Sequence, residues 1–408
     1  MLWTFSPAFV LLCIALCVAA IGTISSSVFL IFTLIGAGKF HRDAERQAAE
    51  AAAIPILPPV SLLKPVHGAE ARLKENIESF FRLDYPDYEI LFAADEEDDA
   101  ALGIVREIMS RYPKIRSRIL VTGRPPWPNP PAYSFAKMAE VAANDILVTS
   151  DSDVEAAPNY LREVVPPMLD PKTGMLTCLY RGKNAGGFWS GLDAIGMSVE
   201  MSAGVLVVNM LDGMKFGLGP TIVVRKDSVE KIGGYRVLGD YFSNDFVIGN
   251  LIEKAGYRVA LSRHVIDHVV PPMTLRRMWE RQVRWAKGTR YSRPKGHFGS
   301  GLVYAMPYGI LGLLAASALG WWEVGAGLLS IAIINRLIES LVVGWGVVRD
   351  PVVRRAPWLI PIRDLLGFCV WTSSYLSKKA VWRDSRYELV SGGRIVARQG
   401  SDGGETRG

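Results

Sequence analysis

The chain has 408 residues, half of them apolar and 21% charged, with a mean hydropathy of +0.19, too oily for an ordinary soluble domain and too charged for a pure membrane bundle. Between Arg276 and Lys295 eight Lys and Arg face one Glu, so this belt carries +7 while the whole chain carries +6 and the remainder sums to −1; such local basicity excludes a general nucleic-acid coat. Cys13, Cys17, Cys178 and Cys369 are too scattered for a disulfide framework or a zinc ribbon and point to a reducing compartment, and the composition excludes a disordered, collagenous or small secreted chain.

Residues 5–36 carry no charge, a run longer than the roughly 20 residues that span a bilayer, and Lys39, His41, Arg42, Asp43 and Arg46 follow it. The leader lacks the positive charge of a cleaved signal peptide, so the run reads as an anchor whose C-terminal side is cytosolic. After an Ala-rich linker at 48–53, short β-branched runs alternate with amphipathic stretches up to Lys295, the pattern of a βαβ sheet domain. Strands are expected at 60–63, 88–94, 118–121 and 145–149, and helices at 73–81 and 102–111. Ligands of such sheets bind beyond the carboxyl ends of the strands.

Apolar spans return at 302–319 and 328–348, forming a membrane hairpin. The loop bearing Arg349, Arg354 and Arg355 then lies on the cytosolic side with the sheet domain. A third apolar stretch, 358–376, is broken by Arg363 and Asp364 and either spans or re-enters. Lys378, Lys379, Arg383 and Arg386 after it favour a cytosolic tail. Arg336 and Glu339 form an expected i,i+3 ion pair inside the second span. Four regions result: an anchor and linker at 1–54, the sheet domain with its basic helix at 55–300, membrane segments at 301–377 and a tail at 378–408.

The carboxylates carry the chemistry. Asp151-Ser152-Asp153 follows a strictly apolar strand, where one carboxylate can hold a cation and the other a ribose; few hard oxygen ligands suit Mg2+ or Mn2+ completed by substrate phosphates. Asp95, Glu96, Glu97, Asp98 and Asp99 follow another strand, as a solvated loop, a helix N-terminus or a contact to a uracil or ribose. Asp245 precedes an apolar helix at 247–252, where Asn244 or Asp245 would equally serve as an N-cap. Leu275, Met278, Trp279, Val283 and Ala286 form the apolar face of a basic helix. Its arginines either lie on anionic lipid or, as Arg281 and Arg284, point together at a diphosphate.

The set Asp151-Ser152-Asp153, Asp245 and Arg281-Gln282-Val283-Arg284-Trp285 resembles the D, DxD, D, (Q/R)xxRW pattern of inverting glycosyltransferases with the GT-A fold. Val60-Ser61-Leu62-Leu63-Lys64-Pro65, Asp84-Tyr85-Pro86, Tyr88-Glu89-Ile90-Leu91, Met214-Lys215-Phe216-Gly217 and Gly233-Gly234 are similar to the ceramide glucosyltransferases and their bacterial, hopanoid-associated relatives. The resemblance implies an α/β, Rossmann-like GT-A domain with flanking transmembrane helices, in the bacterial inner membrane or its equivalent. It implies Asp153 as ligand of Mg2+ or Mn2+, Asp151 and one of Asp95, Glu96 or Asp98 as donor-binding groups, and Asp245 as general base. Arg281, Arg284 and Trp285 would form the acceptor and diphosphate pocket. The partners implied are a UDP-sugar, glucose first, and a membrane lipid hydroxyl, ceramide first, then a hopanoid or diacylglycerol, with no nucleic acid.

Two departures stand out: Asn129-Pro130-Pro131-Ala132-Tyr133-Ser134 lacks the Lys of a basic nucleotide loop, and Asn244 replaces an acid before Asp245. A processive polysaccharide synthase shares the pattern but needs a channel that so few spans scarcely build. A transporter or a non-catalytic nucleotide sensor fits the run of site acids less well.

Overall fold

The computed structural model describes residues 6–382 and 385–397; Phe5 and the leader before it, Arg383 and the end of the expected tail, 398–408, lie outside the described residues. Helix α1 (Pro7–Ala52) is one rod in which Ser6 Oγ caps Phe9 N and Pro7 starts the first turn. At 1.5 Å per residue its 46 residues reach about 69 Å, more than twice a hydrocarbon core of roughly 30 Å. The Ala-rich segment expected as a linker is therefore the helix's last turns, as its propensity favours.

The domain runs β1 (Val60–Pro65), α2 (Leu73–Phe80), β2 (Tyr88–Ala94), α3 (Ala100–Arg111), β3 (Arg116–Val121), α4 (Pro130–Val141), β4 (Ile146–Ser150), β5 (Val154–Glu155), α5 (Tyr160–Val164) and β6 (Thr173–Asn184). Helices α6 (Phe188–Gly196) and α7 (Ser202–Leu211) follow, joined through a π-helical turn, then β7 (Thr221–Arg225), α8 (Lys226–Lys231), α9 (Asn244–Lys254), β8 (Arg258–Val270), α10 (Leu275–Ser292) and α11 (Pro294–Ser300). The eight strands form one sheet in the order β3-β2-β1-β4-β7-β6-β8-β5. β3, β2, β1 and β4 are parallel, β7 is antiparallel to both its neighbours, and β6 and β8 are parallel. Where the direction reverses, between β4 and β7, the sheet edge opens for a ligand.

Alternation splits β1 between two cores. Leu62 packs with Ile90, Phe80 and Tyr160 on one face, and Leu63 with Leu91, Leu147 and Met175 on the other. The second core also takes Ala37 and Phe40 of α1 and Val343 and Val347 near the C-terminal spans, so the membrane-directed helices and the sheet share a hydrophobic interior. Each such fully buried side chain contributes about 1.5–3 kcal/mol.

Among the described residues three helical stretches are long and apolar enough to cross a membrane: Pro7–Ala52, Phe188–Leu211 and Trp322–Val347. The second, α6 with α7, was not expected as a helix of this kind, and most of its apolar residues are buried in the protein. The segments expected as a hairpin are α12 (Met306–Ala318), whose 13 residues rise only about 20 Å, too short to count among the three, and α13 (Trp322–Glu339), extended by a π-helical turn to Val347. α12 begins four residues later than expected because Pro307 takes its first turn and Asp364 caps it, accepting from Ala305 N at 2.9 Å and Met306 N at 2.8 Å. After α14 (Pro351–Arg355), α15 (Leu359–Ser373) covers the uncertain third stretch. Its 15 residues rise about 22 Å, short of the hydrocarbon thickness. Arg336 pairs with Glu339, as expected, and also lies 3.4 Å from Asp364 of α15.

The tail is not a loose extension. β9 (Lys379–Trp382), β10 (Ser385–Val390) and β11 (Arg394–Ala397) form a small antiparallel sheet, docked on the loop before α9. Phe242 N donates to Gly393 O and Ile395 N to Asp240 O, both at 2.9 Å. Gly392 and Gly393 make the turn at φ 79° and 78°, the left-handed region that glycine adopts without strain.

Candidate active site

A cavity of about 860 Å³ opens at the carboxyl ends of β1 and β4, beside β8 and α10, within the range of small-ligand sites. Every residue of β4 is buried, and the strand delivers Asp151 and Asp153 to the cavity wall. Lys64, the penultimate residue of neighbouring β1, is fully buried, with Nζ 2.8 Å from the Asp151 carbonyl, 3.4 Å from Ser150 Oγ and 3.6 Å from the centre of the Phe80 ring. Burial pushes the Lys64 amine down to about 7, against the raising pull of Asp151, Asp153 and Glu70. Burial, then the Asp153 charge, raises the Asp151 carboxyl well above its ordinary value, while Lys64 opposes the shift.

Asp153 Oδ1 is buried without a hydrogen-bond partner, and Oδ2 lies 3.4 Å from His268 Nε2 on β8. Among the described residues no three His, Cys, Asp or Glu side chains gather around one point as a metal cage. A hard cation held by one or two carboxylates and completed by phosphate oxygens needs no such cage, and the orphaned oxygen of Asp153 at the cavity wall fits that donor set.

Asp245 is not the cap of α9. Ser243 takes the cap position without a side-chain bond, and Asp245 stands in the first turn with its carboxylate turned to the cavity wall. Its Oδ2 accepts from Gly219 N at 3.0 Å and its Oδ1 from Phe246 N at 2.8 Å. Burial raises its pKa, and the two backbone donors oppose the rise. A Cβ on Gly219 would lie 3.3 Å from Asp245 Oδ2 and 3.8 Å from Asp151 Oδ2, so both carboxylates flank that one point.

Arg281, Arg284 and Trp285 also line the cavity, on α10, which Thr274 caps by accepting from Arg277 N. Arg281 stacks on the Trp285 ring at 4.4 Å and donates to His268 Nε2 at 2.9 Å. Burial, with Arg281 beside it, pushes Arg284 down to about 10. Arg284 makes no hydrogen bond or ion pair among the described residues, leaving its fork for an anion. Of the apolar stripe of α10 Met278 is fully buried, Trp279, Val283 and Ala286 are half-buried and Leu275 is exposed, while Trp285, outside the stripe, packs on the Ala194, Met197 and Val270 cluster. α15, α6 and the tail sheet pack against α10.

Of the acidic cluster only Asp95 reaches the cavity wall. Glu96 and Asp98 are exposed and lie outside it, because the chain turns away into α3. There Asp99 is the N-cap, accepting from Ala101 N and from Gly68 N, each at 2.8 Å. In the segment lacking the expected Lys, Asn129 caps α4 and donates to Tyr241 O at 2.7 Å, binding that loop to the one before Asp245.

Sequence reasoning missed Lys64, His268, Tyr180 and Glu70 as groups of this site. Tyr180 lies 5.5 Å from His268 ring to ring, and Glu70 accepts from Ser152 Oγ at 2.6 Å. The available signal was a lone Lys ending an otherwise apolar strand, a position that is costly unless used.

Compared with known proteins, residues 11–395 match the family model described as glycosyl transferase family 21. Ceramide glucosyltransferase 1 of Caenorhabditis elegans is 25% identical over 346 residues, covering 84% of this chain and 74% of that protein. Ceramide glucosyltransferase 3 of the same organism is 24% identical over 355 residues, covering 83% and 74%. Among solved structures, the mannosyltransferase PcManGT from Pyrobaculum calidifontis in complex with GDP-Man and Mn2+ superposes with a TM-score of 0.50 at 18% identity, over 88% of this chain and 99% of that one. The likeness shows the GT-A type of fold expected from the motifs.

Proposed function

The chain belongs to glycosyl transferase family 21 and is a membrane-associated glycosyltransferase, and from that premise we propose that it transfers glucose from UDP-glucose to the hydroxyl of a membrane lipid, ceramide first, with inversion at the anomeric carbon. One observation carries the reading: the half-buried carboxylate of Asp245, the orphaned oxygen of Asp153 and the guanidinium of Arg284 line one cavity.

Asp245 accepts the proton of the acceptor hydroxyl, and the oxygen attacks the sugar from the face opposite the diphosphate. Gly219 N and Phe246 N hold the carboxylate in one orientation, so little reorganisation precedes proton transfer. Arg284, with Arg281 stacked on Trp285, balances the charge that grows on the departing diphosphate. Asp95 and Asp151 face the nucleotide and its ribose. Mg2+ or Mn2+, held by Asp153, would supply Lewis-acid neutralisation of the diphosphate when bound.

Residues 55–300 form the catalytic unit in this reading, anchored by 1–54 and 301–377, with the described strands of the tail, β9, β10 and β11, beside the site. The catalytic unit faces the cytosol, as the basic residues after the first span and at Arg349, Arg354 and Arg355 favour. Purified protein with labelled UDP-glucose and ceramide, diacylglycerol or a hopanoid polyol in mixed micelles tests the proposal. Formation of a glycolipid with one of them supports it, and transfer only to a water-soluble sugar refutes the lipid acceptor.

A further inference from the structure

Asp193 lies in the middle of α6, an apolar helix, and its side chain is fully buried. A carboxylate there costs several kcal/mol unless it is paired, and both of its described partners come from α10. Gln282 Nε2 donates to Oδ1, and Arg281 Nη1 is 3.6 Å from Oδ2. The opposite terminal nitrogen of the same guanidinium, Nη2, reaches His268 Nε2 at 2.9 Å, and that imidazole stands 3.4 Å from Asp153. Arginine has only donors, so His268 accepts here and is held as the Nδ1-protonated tautomer.

Behind Asp193 the network continues toward the C-terminal helices. Gln282 Oε1 accepts from Arg363 Nη2 of α15 at 3.0 Å, and the same nitrogen is 3.1 Å from Glu200 Oε2. Gly196, one turn beyond Asp193, leaves the space that Arg363 crosses; any side chain at 196 would overlap that guanidinium. Gln282 is therefore clamped at both ends of its amide.

We infer that Asp193 is a positioning residue for glycosyl transfer, a buried carboxylate that, with Gln282 clamped by Arg363, fixes the guanidinium of Arg281 against Trp285 and His268 at the donor end of the cavity. The inference rests on the reading that Arg281 faces the donor's diphosphate. A free arginine on this helix has many rotamers, and each would have to be given up when the anion arrives. Anchored on Asp193, the fork is ordered before the donor binds, so Asp193 acts on binding and turnover only through Arg281.

A double-mutant cycle on the full-length protein in detergent tests this. UDP binding, and UDP release from UDP-glucose with ceramide in mixed micelles, are measured for the wild type, Asp193→Asn, Arg281→Gln and the double variant. Asp193→Asn keeps shape and removes charge; the expected result is about 10-fold weaker UDP binding and a similar fall in kcat, with the ceramide KM unchanged. The double variant should be no worse than Arg281→Gln alone, because a residue acting through another has nothing left to act on. Losses that multiply in the double variant, or a moved acceptor KM with intact kcat, overturn the inference while leaving the site assignment standing. A wild-type chain that neither binds nor releases UDP, or an Arg281→Gln variant with undiminished binding and turnover, overturns both. Should Asp193→Asn fail to accumulate, Asp193→Glu enters the same cycle. A loss that vanishes in the Arg281→Gln background supports the inference, and no loss despite the shifted carboxylate, or a loss that multiplies, overturns it.

Discussion

The ammonium of Lys64 is tied to the main-chain carbonyl of Asp151 at 2.8 Å, so a side chain from one strand holds the backbone of the acidic motif that ends the next. The bond crosses two adjacent parallel strands at their ligand edge. It places the only positive charge on β1 beneath the carboxylates of Asp151 and Asp153.

Lys64→Met keeps the volume and the apolar stem and removes that anchor. The expected result is a folded protein whose UDP affinity falls about 10-fold, as for other groups that orient a site from behind. Its thermal midpoint should fall, since the buried Asp151 carbonyl loses its donor and the carboxylates lose the charge beneath them. Calorimetric titration with UDP and a melting curve check both.

Asp153→Asn leaves the sheet intact, because the residue stands at a partly exposed strand end, but an amide is a poor ligand for a hard cation. Activity should fall by at least about 100-fold and respond little to added Mg2+ or Mn2+. EDTA should silence the wild type; full activity in EDTA would remove the cation from the proposal.

Asp245→Asn should lower kcat about 100- to 10,000-fold, the usual contribution of a general base, while the UDP dissociation constant stays within about twofold. Turnover retained in this variant would assign the base elsewhere.

Burial raises the pKa of Asp245, and the base works only when ionised. The rate should therefore fall as pH drops through this raised value, placing the acid limb of kcat/KM above the ordinary aspartate pKa of about 3.9. The stability term has the opposite sign from a salt-bridged carboxylate. Between the unfolded and the raised folded value the native state binds the extra proton, so stability declines as pH rises through that window. Stopped-point assays and denaturation across pH, with Asp245→Asn as the flat reference, check both slopes.

Cysteine labelling tests the cytosolic placement. Cys178 is buried in the sheet, so the probe site must be introduced on the domain surface, for example by Lys114→Cys beyond α3. Maleimide should reach it only after the cells are permeabilised, and labelling of intact cells would reverse the orientation.

Much of the frame was legible because it depends on local patterns. The runs at 88–94 and 146–149 are apolar, bounded by turns and followed by acids, so the strands and the ligand edge could be placed from neighbours alone. The same held for Asp153, Asp245, Arg281 and Arg284, which lie where family motifs put them and do line one cavity. What stayed hidden has its meaning in distant partners. Lys64 and Asp193 stand among mostly apolar neighbours and His268 follows Asp267 in a mixed strand, and their roles arise from contacts 87, 13 and 89 residues away in the chain. Glu96 and Asp98 were indistinguishable from Asp95 until Asp99 was seen to start a helix. The late start of α12 depended on Asp364, which caps it across 58 residues.

The small sheet at the end of the chain has a consequence for biosynthesis. Gly393 and Ile395 pin Phe242 and Asp240, so the last described strand completes a wall that was begun long before the hairpin of α12 and α13 was translated. A nascent chain halted after Trp285 and before Gly393 already contains each proposed catalytic side chain and still lacks the clasp on the loop that presents Asp245. The clasp on that loop is thus the last part of the cavity wall to be synthesised, after α12, α13 and α15.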